Sequence, residues 1–245
     1  VTTFFIGELL YGAGSTAIRR GHSSQAHPSR SLLVTVTGRA ALDELAPRLE
    51  AMGPAPGLSR LVHAGRLDSS THGVVEEEPA GRPLAGAALP LRPDVVAMVV
   101  RQIAQLLAGV HRSGVALGGL QPELIYARPA AGGPVVTGLA PRAAVLGRRA
   151  FAFPHVYTLP DEPWDRAADV FSLCALASHW LSGFHPYRGM RAAAQLAAIS
   201  RGERRPPGGP AAWSELIRRG LSPHGAERPE LAELVQAMEE LGAAA

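Results

Sequence analysis

The chain has 245 residues, 47% of them apolar and 18% charged, with a formal net charge of +3. All 24 Lys-plus-Arg positions are arginine, and asparagine is absent as well, which excludes chemistry that needs a lysine amine or an asparagine amide. A single cysteine, Cys174, excludes an internal disulfide framework, and 5% aromatics with no basic stripe between them argue against nucleic acid as a partner.

Along the chain, the first third reads as short strands. Phe4-Phe5-Ile6 begins one, Tyr11-Gly12-Ala13-Gly14-Ser15 is a glycine-rich turn, and Ala17-Ile18 resumes a strand. His22 to Ser31 is a polar loop. Leu32-Leu33-Val34-Thr35-Val36 is a β-branched run bounded by Gly38, a strand signal. Arg39 to Met52 carries helical spacing through Leu42, Leu45, Leu49 and Met52, and Pro47 within it predicts a break or kink. Leu58 to Val62 and His72 to Glu76 predict two further strands. Pro79 to Leu91, punctuated by Gly and Pro, reads as a linker.

From residue 92 the pattern turns helical. Pro93-Asp94 opens a helix whose Val95, Val96, Val99, Val100, Ile103, Leu106, Leu107 and Val110 are spaced for one buried face, and Gly114 ends it. Asp165 caps another, running through Val170, Phe171, Leu173, Leu176 and Trp180 to Gly183; it is apolar on most sides, which predicts a place at the centre. Arg191 to Ser200, Trp213 to Leu221 and Pro229 to Leu241 predict three more. Strands followed by helices give an α+β protein with a small first lobe over 1–78, a hinge over 79–91 and a larger lobe over 92–245. There is no stretch of about 18 uninterrupted apolar residues, so no membrane span is expected. The absence of a signal-peptide pattern and the single thiol make a cytoplasmic setting the expectation. Val1 in place of Met points to a piece of a longer protein.

Several segments, taken in order, resemble the protein kinase fold, specifically bacterial serine/threonine kinases. Val110-His111-Arg112-Ser113-Gly114-Val115-Ala116-Leu117-Gly118-Gly119-Leu120-Gln121-Pro122-Glu123 resembles the helix that runs into the catalytic loop H-R-D-L-K-P-E-N. Ala168-Asp169-Val170-Phe171-Ser172-Leu173 is similar to the S-D-V-Y-S-L of the central helix, and Leu181-Ser182-Gly183-Phe184-His185-Pro186-Tyr187 to the L-T-G-x-x-P-F that follows it. Ala226-Glu227-Arg228-Pro229 resembles A-R-P, and Pro56 to Gly65 the H-P-N-I-V-x-L-x-x-x-G stretch. The resemblance covers nearly the whole chain and implies a two-lobed fold.

It also implies an active site, and its residues are missing. Phosphoryl transfer rests on positioning and on cationic and metal charge. The strand lysine of the family falls on Thr35, the catalytic aspartate on Gly119, the magnesium asparagine on Leu124 and the D-F-G aspartate on Gly138. None of these can hold a phosphate or a metal, so no cofactor is implied. The glycine loop is degraded too: it reads as G-x-G-x-x-A from Gly12, or, with Ile18 at the family's valine, puts Tyr11, Ala13 and Thr16 at the glycine positions. Glu76 falls near the slot of an apolar gatekeeper; the bland expectation is that Glu76, Glu77 and Glu78 are exposed or pair with Arg82. Arg19, Arg20 and Arg30 read as solvated surface charges.

What the resemblance retains is architectural. Asp169 matches the aspartate that ties down the catalytic-loop backbone, and Asp161 and Arg228 match the ion pair that braces the activation segment. Intact scaffold and erased reaction centre describe a pseudokinase: a protein-binding, scaffolding or regulatory module, not an enzyme. The alternatives are a nucleotide-binding switch without turnover and an atypical transferase on the kinase fold. Arg142, Arg148, Arg149, Arg188, Arg191, Arg201, Arg204 and Arg205 form a basic cluster, in which Arg148 and Arg149 are the candidates for docking an acidic or phosphorylated segment of a protein partner. Neither the histidines, His22 with His27 and His179 with His185, nor Cys174 has the grouping of a metal or nucleophile site; Cys174 is expected in the core.

Overall fold

The computed structural model describes residues 3–13, 16–24, 31–37, 39–117, 120–128, 133–136, 157, 165–187 and 192–242. Five strands come first: β1 (Phe4–Ala13), β2 (Thr16–Ser23), β3 (Leu32–Thr37), then helix α1 (Arg39–Met52), then β4 (Leu61–Arg66) and β5 (His72–Glu77). They form one antiparallel sheet in the order β1-β2-β3-β5-β4. Two short strands, β6 (Arg82–Pro83) and β7 (Ile125–Ala127), and β8 (Val135–Val136) make a second sheet of three. The remaining helices are α2 (Pro93–Arg112), α3 (Arg166–Ser182), α4 (Ala192–Ser200), α5 (Ala211–Gly220) and α6 (Leu231–Gly242). The class is mixed α+β, as the order of patterns in the sequence predicts.

Several local expectations need correction. Tyr11–Ala13, expected in a turn, belong to β1, and His22 and Ser23, expected in a loop, end β2, because the two strands pair with each other along this length. α1 is unbroken through Pro47. Leu42 and Leu49 are buried on either side of it, while Asp43 and Pro47 are exposed, so water can take the hydrogen bond that the proline ring denies to the Asp43 carbonyl. The strand expected over 58–62 lies instead at Leu61–Arg66. Residues 57–59 are claimed by β8: Leu58 bridges Val136 in parallel, the Ser59 N–H donates to the Val136 carbonyl at 2.9 Å, and the Val136 N–H donates to the Gly57 carbonyl at 2.8 Å. The linker over 79–91 contains β6, which pairs with β7, a 3₁₀ turn at Leu84–Gly86 and a cis Leu89–Pro90 peptide.

α3 is the centre of the core. Asp165 caps it by accepting from the Ala168 N–H at 3.0 Å, and Gly183 closes it at φ 74°, a left-handed conformation that glycine adopts without penalty. Thirteen of its residues are buried, so almost no face is left for solvent. Val100, Ile103 and Leu107 of α2, Trp213 and Ile217 of α5, and Leu234 and Met238 of α6 belong to the same cluster as Phe171, Leu176 and Trp180. At the α5 end, Gly220 lies so close to α3 that a Cβ there would stand 2.1 Å from Cys174 Sγ. Cys174 is in the core as expected, and burial pushes its thiol up to about 12. α2 is long and apolar enough, by length and composition, to cross a membrane; half of that stretch is buried within the protein, where it forms core.

Candidate functional site

The inner face of the larger sheet follows from register. Ile18 pairs with Thr35 and Arg20 with Leu33 across β2 and β3, while Leu33 pairs with Glu76 and Thr35 with Val74 across β3 and β5. Paired residues of antiparallel strands point the same way, so Ile18, Arg20, Leu33, Thr35, Val74 and Glu76 share a face. Against it packs the turn Pro122–Leu124: Ile18, Leu33 and Leu124 form one buried cluster, each no more than 4% exposed. Two of the positions that the sequence singled out, Thr35 and Leu124, therefore flank one apolar contact. Thr35 is fully buried, and its hydroxyl has no hydrogen-bond partner among the described residues.

The glutamates behave differently from expectation. Glu76 is fully buried, because β5 is an interior strand flanked by β3 and β4. Glu77 and Glu78 pair, but with Arg60 and Arg20 in place of Arg82. Arg20 is no free surface charge. Its Nε and Nη2 donate to the two Glu78 oxygens at 2.8 and 2.7 Å, and its Nη1 donates to Glu8 at 2.9 Å. Burial alone would raise the Glu78 carboxyl; hydrogen bonds from Arg20 and Ser31 outweigh it and hold the group below its ordinary range. The same fork raises Arg20 further above its usual value. Arg19 donates to the Gly7 carbonyl at 3.2 Å. This bridge from β1 and β2 to the end of β5 escaped the sequence reading, since it joins residues 58 positions apart.

A second cluster holds the segment after α2. Asp169, fully buried on α3, accepts the Leu117 N–H at 2.8 Å through Oδ2, and the same oxygen lies 2.9 Å from His111 Nε2. Asp169 thus ties α3 to the backbone just before residues 118–119. Gly119 itself, Gly138, Asp161, Arg148 and Arg149 lie outside the described residues, as do Arg30, Arg142, Arg188 and Arg191.

Arg228 is buried, its Nε donating to the Ser222 carbonyl at 2.9 Å and its Nη2 to that of Pro223 at 3.1 Å, with its guanidinium carbon 5.4 Å from the Phe171 ring centroid. In the described part of the basic cluster each arginine has a local partner, and for Arg201 it is a carboxylate. Both nitrogens of the Arg201 fork bind Glu203, Arg204 donates to the Gly202 and Arg218 carbonyls, and Arg205 covers the exposed Phe184 ring at 5.9 Å.

The histidines are structural in their contacts. His22 stacks on Phe5 with centroids 4.8 Å apart, and Tyr157 Oη lies 2.5 Å from His179 Nδ1, with His185 edge-on to the Tyr157 ring. Among the described residues no group of three His, Cys, Asp or Glu side chains is placed to hold a metal. Neither a family profile nor a curated protein matches the chain.

Proposed function

We propose that this chain is a two-lobed, protein kinase-like domain without phosphotransfer activity, a pseudokinase that serves as a protein-binding, scaffolding or regulatory module. The observation that carries the reading is the Ile18–Leu33–Leu124 contact. In the order of segments that resembles a kinase, the space between this face of the sheet and the turn before β7 is where nucleotide and magnesium belong. Here three aliphatic side chains meet across it. The position of the phosphate-binding cation is a buried neutral hydroxyl, Thr35, and that of a magnesium ligand is Leu124.

Magnitude supports the same reading. Loss of one preorganised charge stabiliser costs roughly 10²–10³ in rate. Thr35, Gly119, Leu124 and Gly138 stand at four such positions; none carries a charge, and the side chains of glycine and leucine offer no metal ligand. The tether through Asp169, by contrast, keeps its hydrogen bonds. A domain of this kind contributes surfaces, not chemistry.

Incubation with γ-labelled ATP and magnesium, with and without generic acceptor proteins, tests the reading. The expected result is no label on the chain or the acceptors. Label that disappears when Leu124 is replaced by a bulkier apolar residue would establish an atypical transferase instead.

A further inference from the structure

The geometry points to an anion-binding cleft in the helical part, built to receive a phosphate monoester on a partner protein. A cavity of about 710 Å³ opens between the last turn of α2, the first turn of α3 and the turn leading into α6. That volume suits a phosphorylated side chain with its neighbours, within the range of about 300–1,000 Å³ usual for ligand pockets. Three arginines line it from three different elements: Arg112 at the end of α2, Arg166 at the start of α3, and, ahead of α6, Arg228, whose guanidinium is already bonded to the Ser222 and Pro223 carbonyls. Only two carboxylates line it, Asp165 and Glu230, and Asp165 already accepts the Ala168 N–H as the cap of α3.

Arg112 and Arg166 carry the inference. Among the described residues neither forms an ion pair. Arg166 is also pre-positioned, since its Nη2 donates to the His111 carbonyl at 2.8 Å. A guanidinium fork matches phosphate oxygens in a bidentate way, and a fork already anchored loses less freedom on binding. The first turns of α3 and α6 border the same cavity at Ala167, Leu231 and Ala232. The positive end of the α6 dipole adds potential of the same sign, while at α3 the Asp165 cap takes up the Ala168 N–H. A dianion can engage two guanidiniums at once, which a single carboxylate does less well, so phosphate is the favoured chemistry. The inference rests on reading the domain as a partner-binding module, and it assigns docking to Arg112 and Arg166 in place of Arg148 and Arg149.

The test is an NMR titration of the whole domain that follows the arginine Nε–Hε signals. The probes are inorganic phosphate, a phosphoserine peptide and the same peptide with unmodified serine. Saturable shifts at Arg112 and Arg166, tighter for the phosphopeptide than for inorganic phosphate and absent with the serine peptide, are the expected result. Arg112→Gln and Arg166→Gln each weaken phosphopeptide binding about tenfold, equivalent to 1.4 kcal/mol. The Arg148→Ala, Arg149→Ala double variant leaves it unchanged. Both glutamine substitutions are at exposed positions, and an unchanged urea midpoint confirms their folding. No saturable shift, equal binding of the serine peptide, full affinity in the glutamine variants, or binding of inorganic phosphate alone would each overturn the inference. The labelled-ATP experiment fails or succeeds separately: transfer of label would end the pseudokinase reading and leave these shifts in place.

Discussion

Replacing Asp169 with alanine probes the joint between α3 and the segment after α2. The carboxylate is fully buried and accepts the Leu117 N–H at 2.8 Å, with His111 Nε2 at 2.9 Å on the same oxygen. Hydrogen bonds to a charged group contribute about 1.5–3 kcal/mol each, so the two together come to about 3–6 kcal/mol. That is a large share of the roughly 5–15 kcal/mol that holds a domain folded. Asp169→Ala therefore lowers the urea midpoint with little change in slope, by an amount equivalent to about 3–6 kcal/mol. Asp169→Asn keeps an acceptor for Leu117 and loses less. A loss below about 1 kcal/mol for the alanine variant, the scale of an exposed pair, would refute the argument that this tether supports the fold.

Further outcomes follow from the same packing. Thr35→Val removes a buried hydroxyl that has no partner among the described residues, so it raises the thermal midpoint, the opposite of what loss of a working polar group does. Leu124→Ala opens a cavity beneath Ile18 and Leu33 and costs about 2–5 kcal/mol in a urea titration. Gly220→Ala drives a methyl group into Cys174 and destabilises by about 1–3 kcal/mol, with partial recovery when Cys174→Ala is added. Glu78 is held below its ordinary range in the folded chain. Its contribution is present above the unfolded carboxyl value and is lost as pH falls through the lower folded one. Because Arg20 is half-exposed, the effect is within about 1 kcal/mol, and Glu78→Gln flattens the acid limb of the stability curve by that amount.

Much of the helical part was legible because its signals are local. Asp165 and Gly183 mark the two ends of α3 in the sequence itself, and the near absence of a polar face predicts its central place. β3 likewise announces itself as a β-branched run. What the sequence hid depends on distant partners. β4 slips to Leu61–Arg66 because Gly57 and Ser59 are bonded to Val136, which no local pattern reveals. A run of three glutamates reads as solvent-facing, yet a neighbour on either side of β5 buries the first of them. Arg20 reads as surface charge until β2 is laid beside β3 and the end of β5 comes within its reach. At the candidate site, the identities of Thr35 and Leu124 were plain, but not that Leu124 closes onto Ile18 and Leu33.

The central proposal is that the space between the sheet and the turn before β7 does not receive a nucleotide with magnesium, and thermal unfolding in saturating ATP and magnesium measures this directly. A ligand that binds only the folded chain at a hundred times its Kd adds about 2.7 kcal/mol. For a domain of this size each kcal/mol raises the midpoint by about 2–4 °C. The account predicts a midpoint that does not move when ATP and magnesium are added; a rise of about 5–10 °C that requires both would contradict it.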